Sequence, residues 1–123
     1  MADQEQIVVQ QIKDVTVATF HASRILDAAQ VEALGEELYA LVDRKDRRKL
    51  ILDFTEVRFL SSAMLGVLLN LRNKADRVRG RIVLCGLRAE LHKVFRITKI
   101  DKLFDFFDTE GQALTSFGIT GVP

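Results

Sequence analysis

The sequence is poor in the residues that most often signal chemistry. Its 123 residues include one cysteine, Cys85, two histidines, His21 and His92, a single proline, Pro123, and no tryptophan. A lone thiol excludes an internal disulfide framework, and two histidines far apart in sequence are too few for a zinc site, so neither a metal nor a cofactor is expected. An excess of charge is missing as well. Eighteen basic residues face seventeen acidic ones, a net of +1, which removes the bulk electrostatic footprint of a dedicated nucleic-acid binder. No apolar run approaches the roughly 20 residues of a membrane span. The opening MADQEQIVVQ has no basic stretch followed by an apolar one, so a cytoplasmic location without a membrane partner is expected.

The usual signatures of catalysis are also missing. The sequence contains no Walker pattern, no G-x-G-x-x-G after a strand and no G-x-S-x-G elbow, and Gly66 and Gly80 stand isolated. His92, in AELHKVF, reads as a surface or half-buried helical histidine. Cys85, in an apolar strand with nothing basic beside it to lower its pKa, reads as inert core. No enzyme is expected. Phe104, Phe106 and Phe107 lack an interleaved basic stripe and read as core and edge-strand packing rather than a base-stacking platform. The run DRKDRRK, together with Arg72, Lys74, Arg77, Arg79 and Arg81, reads as a solvated face, with a docking surface for an acidic partner as the alternative.

What is present is a regular alternation of secondary-structure signals. With 48% hydrophobic and 28% charged residues, the chain has the composition of a soluble globular protein and the size of one domain over 1–123, with its core at about 6–117. QIVVQQI and DVTVATF predict a β-hairpin turning near Lys13 and Asp14. Asp27 and Gln30 form a capping-box pair before a helix whose stripe is Val31, Leu34, Leu38, Leu41 and Val42. LILDF reads as a strand buried on both faces. From Ser61 the period lengthens, and Met64, Leu65, Leu68, Leu71 and Ala75 predict a second helix starting after the serine pair and ending before Gly80. RIVLCGL is then a strand, AELHKVF a short helix, LFDFF a last strand, and TEGQALTSF a helix opened by a Thr109 to Gln112 capping box and ended at Gly118. This order predicts an α/β fold with a mixed sheet of about five strands and about four helices, parallel in its centre and mixed at the hairpin edge.

The segment FLSSAML, Phe59 to Leu65, demands more than packing. Ser61 or Ser62 can cap the following helix by accepting an orphan N–H, but a cap needs one hydroxyl and the turn has two, flanked by apolar side chains. The carboxyl end of a central strand is where open α/β sheets present functional surfaces. A phosphoryl group at this helix start would suit the positive dipole end and would also place nearly two negative charges in an apolar contact patch.

The stretch from Leu50 to Leu114, with its strand ending in Asp53, Val57 and Phe59, the Leu-Gly-Val of Leu65 to Val67, GRIVLCGL and VFRITKIDKLFDFFDT, resembles the STAS domain of bacterial anti-sigma-factor antagonists. The preceding hairpin and helix fit as well. The resemblance implies a non-enzymatic partner-switching protein that regulates transcription. Its unphosphorylated form would bind an anti-sigma factor that is also a serine kinase, phosphorylation would end binding, and a phosphatase would restore it. The family core reads Asp-Ser-Ser-Gly-Leu-Gly with the second serine phosphorylated, whereas this chain has Ser61-Ser62-Ala63-Met64-Leu65-Gly66. Aligned on Leu65 and Gly66, the acidic position is Ser61, the first serine is Ser62 and the phosphorylated serine is Ala63.

Alanine cannot accept a phosphoryl group, so either the acceptor is Ser62 or Ser61, or the protein binds constitutively. The expected contact face comprises Asp53, Phe59, Leu60, Ser61, Ser62, Ala63, Met64 and Gly66, on a monomer or weak homo-oligomer. Two alternatives remain: a non-phosphorylated STAS scaffold subunit of a larger signalling assembly, and a small-ligand module binding nucleotides or lipids.

Overall fold

A computed structural model describes residues 6–120; Pro123 and the first five residues lie outside that range. Strand β1 (Ile7–Ile12) pairs antiparallel with β2 (Val15–Phe20), Ile12 opposite Val15, so the turn falls on Lys13 and Asp14 as expected. After a two-residue strand β3 (Arg24–Ile25) comes helix α1 (Ala28–Asp43), and then β4 (Lys49–Asp53). A second two-residue strand, β5 (Phe59–Leu60), leads into α2 (Ser62–Arg77), followed by β6 (Arg81–Cys85) and α3 (Ala89–Ile97). A 3₁₀ turn over Asp101–Leu103 precedes β7 (Asp105–Phe107), and α4 (Glu110–Ser116) follows.

The main sheet has the order β1-β2-β4-β6-β7, and every pairing after the hairpin is parallel. Alternation along the strands sends side chains to two cores. Leu50, Leu52 and Leu84 face α1 and α2, where they meet Leu38, Leu68 and Leu71, while Ile51, Val83 and Cys85 face α4 and meet Ala113 and Leu114. Central strand β4 is therefore buried on both faces, which is why LILDF shows no polar alternation.

The helices follow their sequence signals closely. Asp27 accepts from Gln30 N and the Gln30 side chain reaches back to the cap backbone, and the buried stripe of α1 includes all five expected residues. At α4, Thr109 accepts from Gln112 N, but Gln112 Oε1 accepts from Asp108 N, one residue beyond the expected partner. One expectation needs adjustment. LFDFF is not all strand, because its first residue closes the 3₁₀ turn and Phe104 folds inward to pack edge-on against Phe95. The short ribbon formed by β3 and β5 has two residues per strand, too few to carry a periodicity in the sequence.

Because β2, β4 and β6 run parallel, their carboxyl ends converge on one pole of the molecule. The starts of the helices that follow them converge there too. Loops 21–27, 54–61 and 86–88 therefore lie together, and the serine pair sits among them.

Candidate functional site

The serine pair is split between loop and helix. Ser61 has extended backbone (φ −80°, ψ 161°) and is the N-cap of α2, its Oγ accepting from Met64 N at 3.2 Å. Ser62 is the first helical residue, one position earlier than a start after the pair would give, and its side chain is exposed. The open question about the cap is thereby answered: one hydroxyl is spent on the helix, and the other faces solvent without a hydrogen-bond partner among the described residues.

The approach to Ser61 is strapped to the loop after β2. Arg58 N and Phe59 N both donate to Ser23 O, at 2.8 and 3.1 Å, and Ser61 N donates to Ile25 O at 2.9 Å. In this ribbon Arg24 pairs with Phe59 and Ile25 with Leu60. Ile25 is buried and Leu60 half-buried, whereas the Phe59 ring turns outward and is 50% exposed. The Arg24 guanidinium covers one side of that ring, 5.1 Å from its centroid. Arg58, Phe59, Arg88 and Glu90 line a small adjoining cleft of about 90 Å³. Leu26, directly after β3, adds an apolar side chain that is 42% exposed. Phe59, Ser62 and Ala63 are exposed, while Leu60, Ser61 and Gly66 are half-buried.

Two members of the expected contact face lie elsewhere. Met64 is fully buried, because it opens the inward stripe of α2 and packs into the larger core with Leu65 and Leu68. It supports the site from beneath and presents nothing to a partner. Asp53 is only 8% exposed, and its Oδ1 accepts from Thr55 N at 2.9 Å and from Thr55 Oγ1 at 2.6 Å. It acts on the loop shape, as aspartates do at Asx turns. Gly86, at φ +74°, leaves room for this arrangement, since a Cβ there would collide with Thr55 Oγ1.

Beside Asp53 stands Glu110, from the first turn of α4. Burial raises its carboxyl pKa above the ordinary value, and the adjacent Asp53 carboxyl raises it further by hydrogen bonding to the protonated form and by charge repulsion. The Cys85 thiol at the end of β6 is pushed up to about 12, by burial first and then by the negative charges of Asp53 and Glu110. Such a thiol is protonated near neutral pH and is a poor nucleophile. His92 is half-buried and packs on Phe106, with ring centroids 4.6 Å apart.

The sequence could not single out Arg24, Arg58, Arg88 and Leu26, which come from three separate loops. Their only local signal was proximity to strand ends. The assembled face is an exposed aromatic and small apolar side chains around a free hydroxyl at a helix start, edged by arginines. Such a composition is common at protein-recognition surfaces.

Residues 6–113 match the family model of the STAS domain. BtrV of Bordetella bronchiseptica, assigned as an anti-sigma factor antagonist, is 32% identical over 93 residues, 76% of this chain and 79% of BtrV. An anti-sigma-factor antagonist (STAS) domain protein from Planctomyces limnophilus superposes with a TM-score of 0.82 at 25% identity, covering 93% of this chain and 98% of that one. The Bacillus cell fate determinant SpoIIAA in its phosphorylated form superposes with a TM-score of 0.71 at 19% identity, covering 90% and 98%.

Proposed function

The chain belongs to the STAS-domain family, and we propose that it acts as an anti-sigma-factor antagonist in a partner-switching pathway that regulates transcription. Its partner in this proposal is an anti-sigma factor that is also a serine kinase, with a phosphatase resetting the switch. The observation that carries the proposal is the division of labour within the serine pair: Ser61 caps α2 and Ser62 stands free beside an exposed phenylalanine. Ser62 is accordingly the phosphoacceptor, one residue before Ala63 at the position the family phosphorylates. A phosphoryl group on Ser62 would meet unpaired N–H groups of the first turn, so its cost to the fold is small. For a partner seated on Phe59, Leu60 and Ala63 it would introduce charge into an interface closed to water, where an unpaired charge is expensive. The protein itself supplies binding and no bond-making chemistry.

Peptide mapping of the protein purified from its host, with and without phosphatase treatment, tests the proposal. A phosphatase-sensitive phosphoryl mass on Ser62, absent in Ser62→Ala, is expected. Binding of Ser62→Asp to the host anti-sigma factor should then fall at least tenfold. One unmodified species under all growth conditions, with Ser62→Asp binding as well as wild type, would instead support a non-switching STAS scaffold subunit. The exposed methyl group of Ala63 at the family phosphoserine position favours that second reading.

A further inference from the structure

The opposite pole of the molecule, where the strands begin, gathers two charge runs that are far apart in sequence. The turn after α1 and the turn after α2 are packed side by side. Arg81 N donates to Arg48 O at 2.7 Å, and Lys74 Nζ pairs with Asp43 Oδ2 at 2.8 Å. Gly80 permits this approach, since a Cβ there would stand 2.6 Å from Arg48 O. Residues 43–49 and 74–81 together hold nine basic and three acidic side chains, a net of +6 in a chain whose total is +1. The remaining residues therefore carry a net of −5, so the positive excess of the chain is concentrated in these two turns.

The basic side chains of this pole fall into two groups. Arg48 pairs with Asp46, Lys49 with Asp14, Lys74 with Asp43, and Arg81 with Asp105. Arg44, Lys45, Arg47, Arg77 and Arg79 have neither a carboxylate partner nor a side-chain hydrogen bond to a helix-end carbonyl among the described residues. All but the half-buried Arg47 are exposed. Their like charges repel across the two turns, and no ion pair among the described residues neutralises them. Arg79 also holds a left-handed backbone (φ +60°), where glycine would be cheaper.

We propose that this pole is a second interaction surface, which docks an acidic segment of a partner protein. Complementary charge argues for an anionic partner. Asp43, Asp46 and Asp76 lie within the patch, each held by a neighbouring cation, and they interrupt the continuous positive track that a phosphate backbone or a lipid headgroup layer would need. Separate guanidinium forks between those carboxylates suit discrete Glu or Asp side chains, which they can hold by paired hydrogen bonds. The pole lies about one length of α2, roughly 22 Å, from Ser62. Occupation here leaves the serine face free, so two partners can be held at once.

Fluorescence anisotropy with a fluorescein-labelled decaglutamate peptide tests this surface on the full chain. Saturable binding is expected, weakened about tenfold by the double variant Arg44→Glu with Arg77→Glu, weakened less by Arg44→Lys with Arg77→Lys, which keeps the charge but loses the fork, and unchanged in Phe59→Ala. Circular dichroism melts should show that all variants remain folded, since the altered side chains are exposed. Absence of saturable binding at low salt would overturn the proposal, as would equal binding by the charge-reversed variant. Tighter binding to a 20-base-pair DNA duplex or to vesicles with 30% phosphatidylglycerol would overturn it in favour of those partners. The result does not depend on phosphorylation of Ser62, so the two proposals can fail separately.

Discussion

Ser61→Ala separates the capping hydroxyl from the one proposed to accept a phosphoryl group. The substitution removes the Oγ that accepts from Met64 N at 3.2 Å, but that N–H also points at Ser61 O, 3.1 Å away. The donor is therefore not left bare, and the loss belongs in the lower half of the usual range for N-caps, about 0.5–1 kcal/mol. For 123 residues the unfolding entropy near the midpoint is about 0.26 kcal/mol/K, so Tm should drop by roughly 2–4 °C. Thermal melts followed by far-UV circular dichroism at neutral pH resolve such a shift. Ser62→Ala removes an exposed hydroxyl at the first helical position and should stay within about ±0.5 kcal/mol of wild type. Ser61→Asp should melt close to wild type, because aspartate caps as well as serine does. It would also restore the residue type that the family carries at this position. A Ser62→Ala loss equal to that of Ser61→Ala, or a Ser61→Asp that melts like Ser61→Ala, would refute the division of labour.

Two further outcomes follow from the same geometry. Met64→Ala should cost about 2–5 kcal/mol in chemical denaturation, because it opens a cavity in the larger core, whereas Phe59→Ala should leave stability within about 1 kcal/mol and weaken binding to the anti-sigma factor; a stable Met64→Ala would return that residue to the surface. Glu110 has a folded-state pKa raised above its ordinary value of 4.5, so its contribution to stability is complete below that value and is lost as pH rises through the raised pKa. Glu110→Gln should consequently raise Tm relative to wild type at pH 8, with the difference shrinking toward pH 4, and a difference independent of pH would show that ionisation of the Glu110 carboxyl is not its cause.

Most of the frame was legible because its signals are local. The hairpin announces itself through β-branched runs on either side of Lys13 and Asp14, and α1 through Asp27, Gln30 and a stripe of evenly spaced side chains. The site was legible only in outline. Met64 belongs by spacing to the same stripe as Leu65, Leu68 and Leu71, and its burial follows from that periodicity once α2 is seen to start at Ser62. The β3 and β5 ribbon was invisible because two residues per strand carry no period, and its hydrogen bonds join chain segments more than thirty residues apart. The same is true of Asp53 and Glu110, and of the two basic turns, whose meeting depends on a backbone approach beside Gly80.

That ribbon has a consequence for how the serine face moves. Phe59, Leu60 and Ser61 are not stitched into the five-stranded sheet but hang from the β3 segment by the backbone bonds of their own short ribbon, among them those to Ser23 O and Ile25 O. Breaking those bonds frees the loop without disturbing a single rung of the main ladder. Amide exchange at Arg58, Phe59 and Ser61 should therefore run ahead of exchange in β4 and β6. For the kinase proposed above, the stretch of chain leading into Ser62 can detach while the scaffold beneath it stays folded.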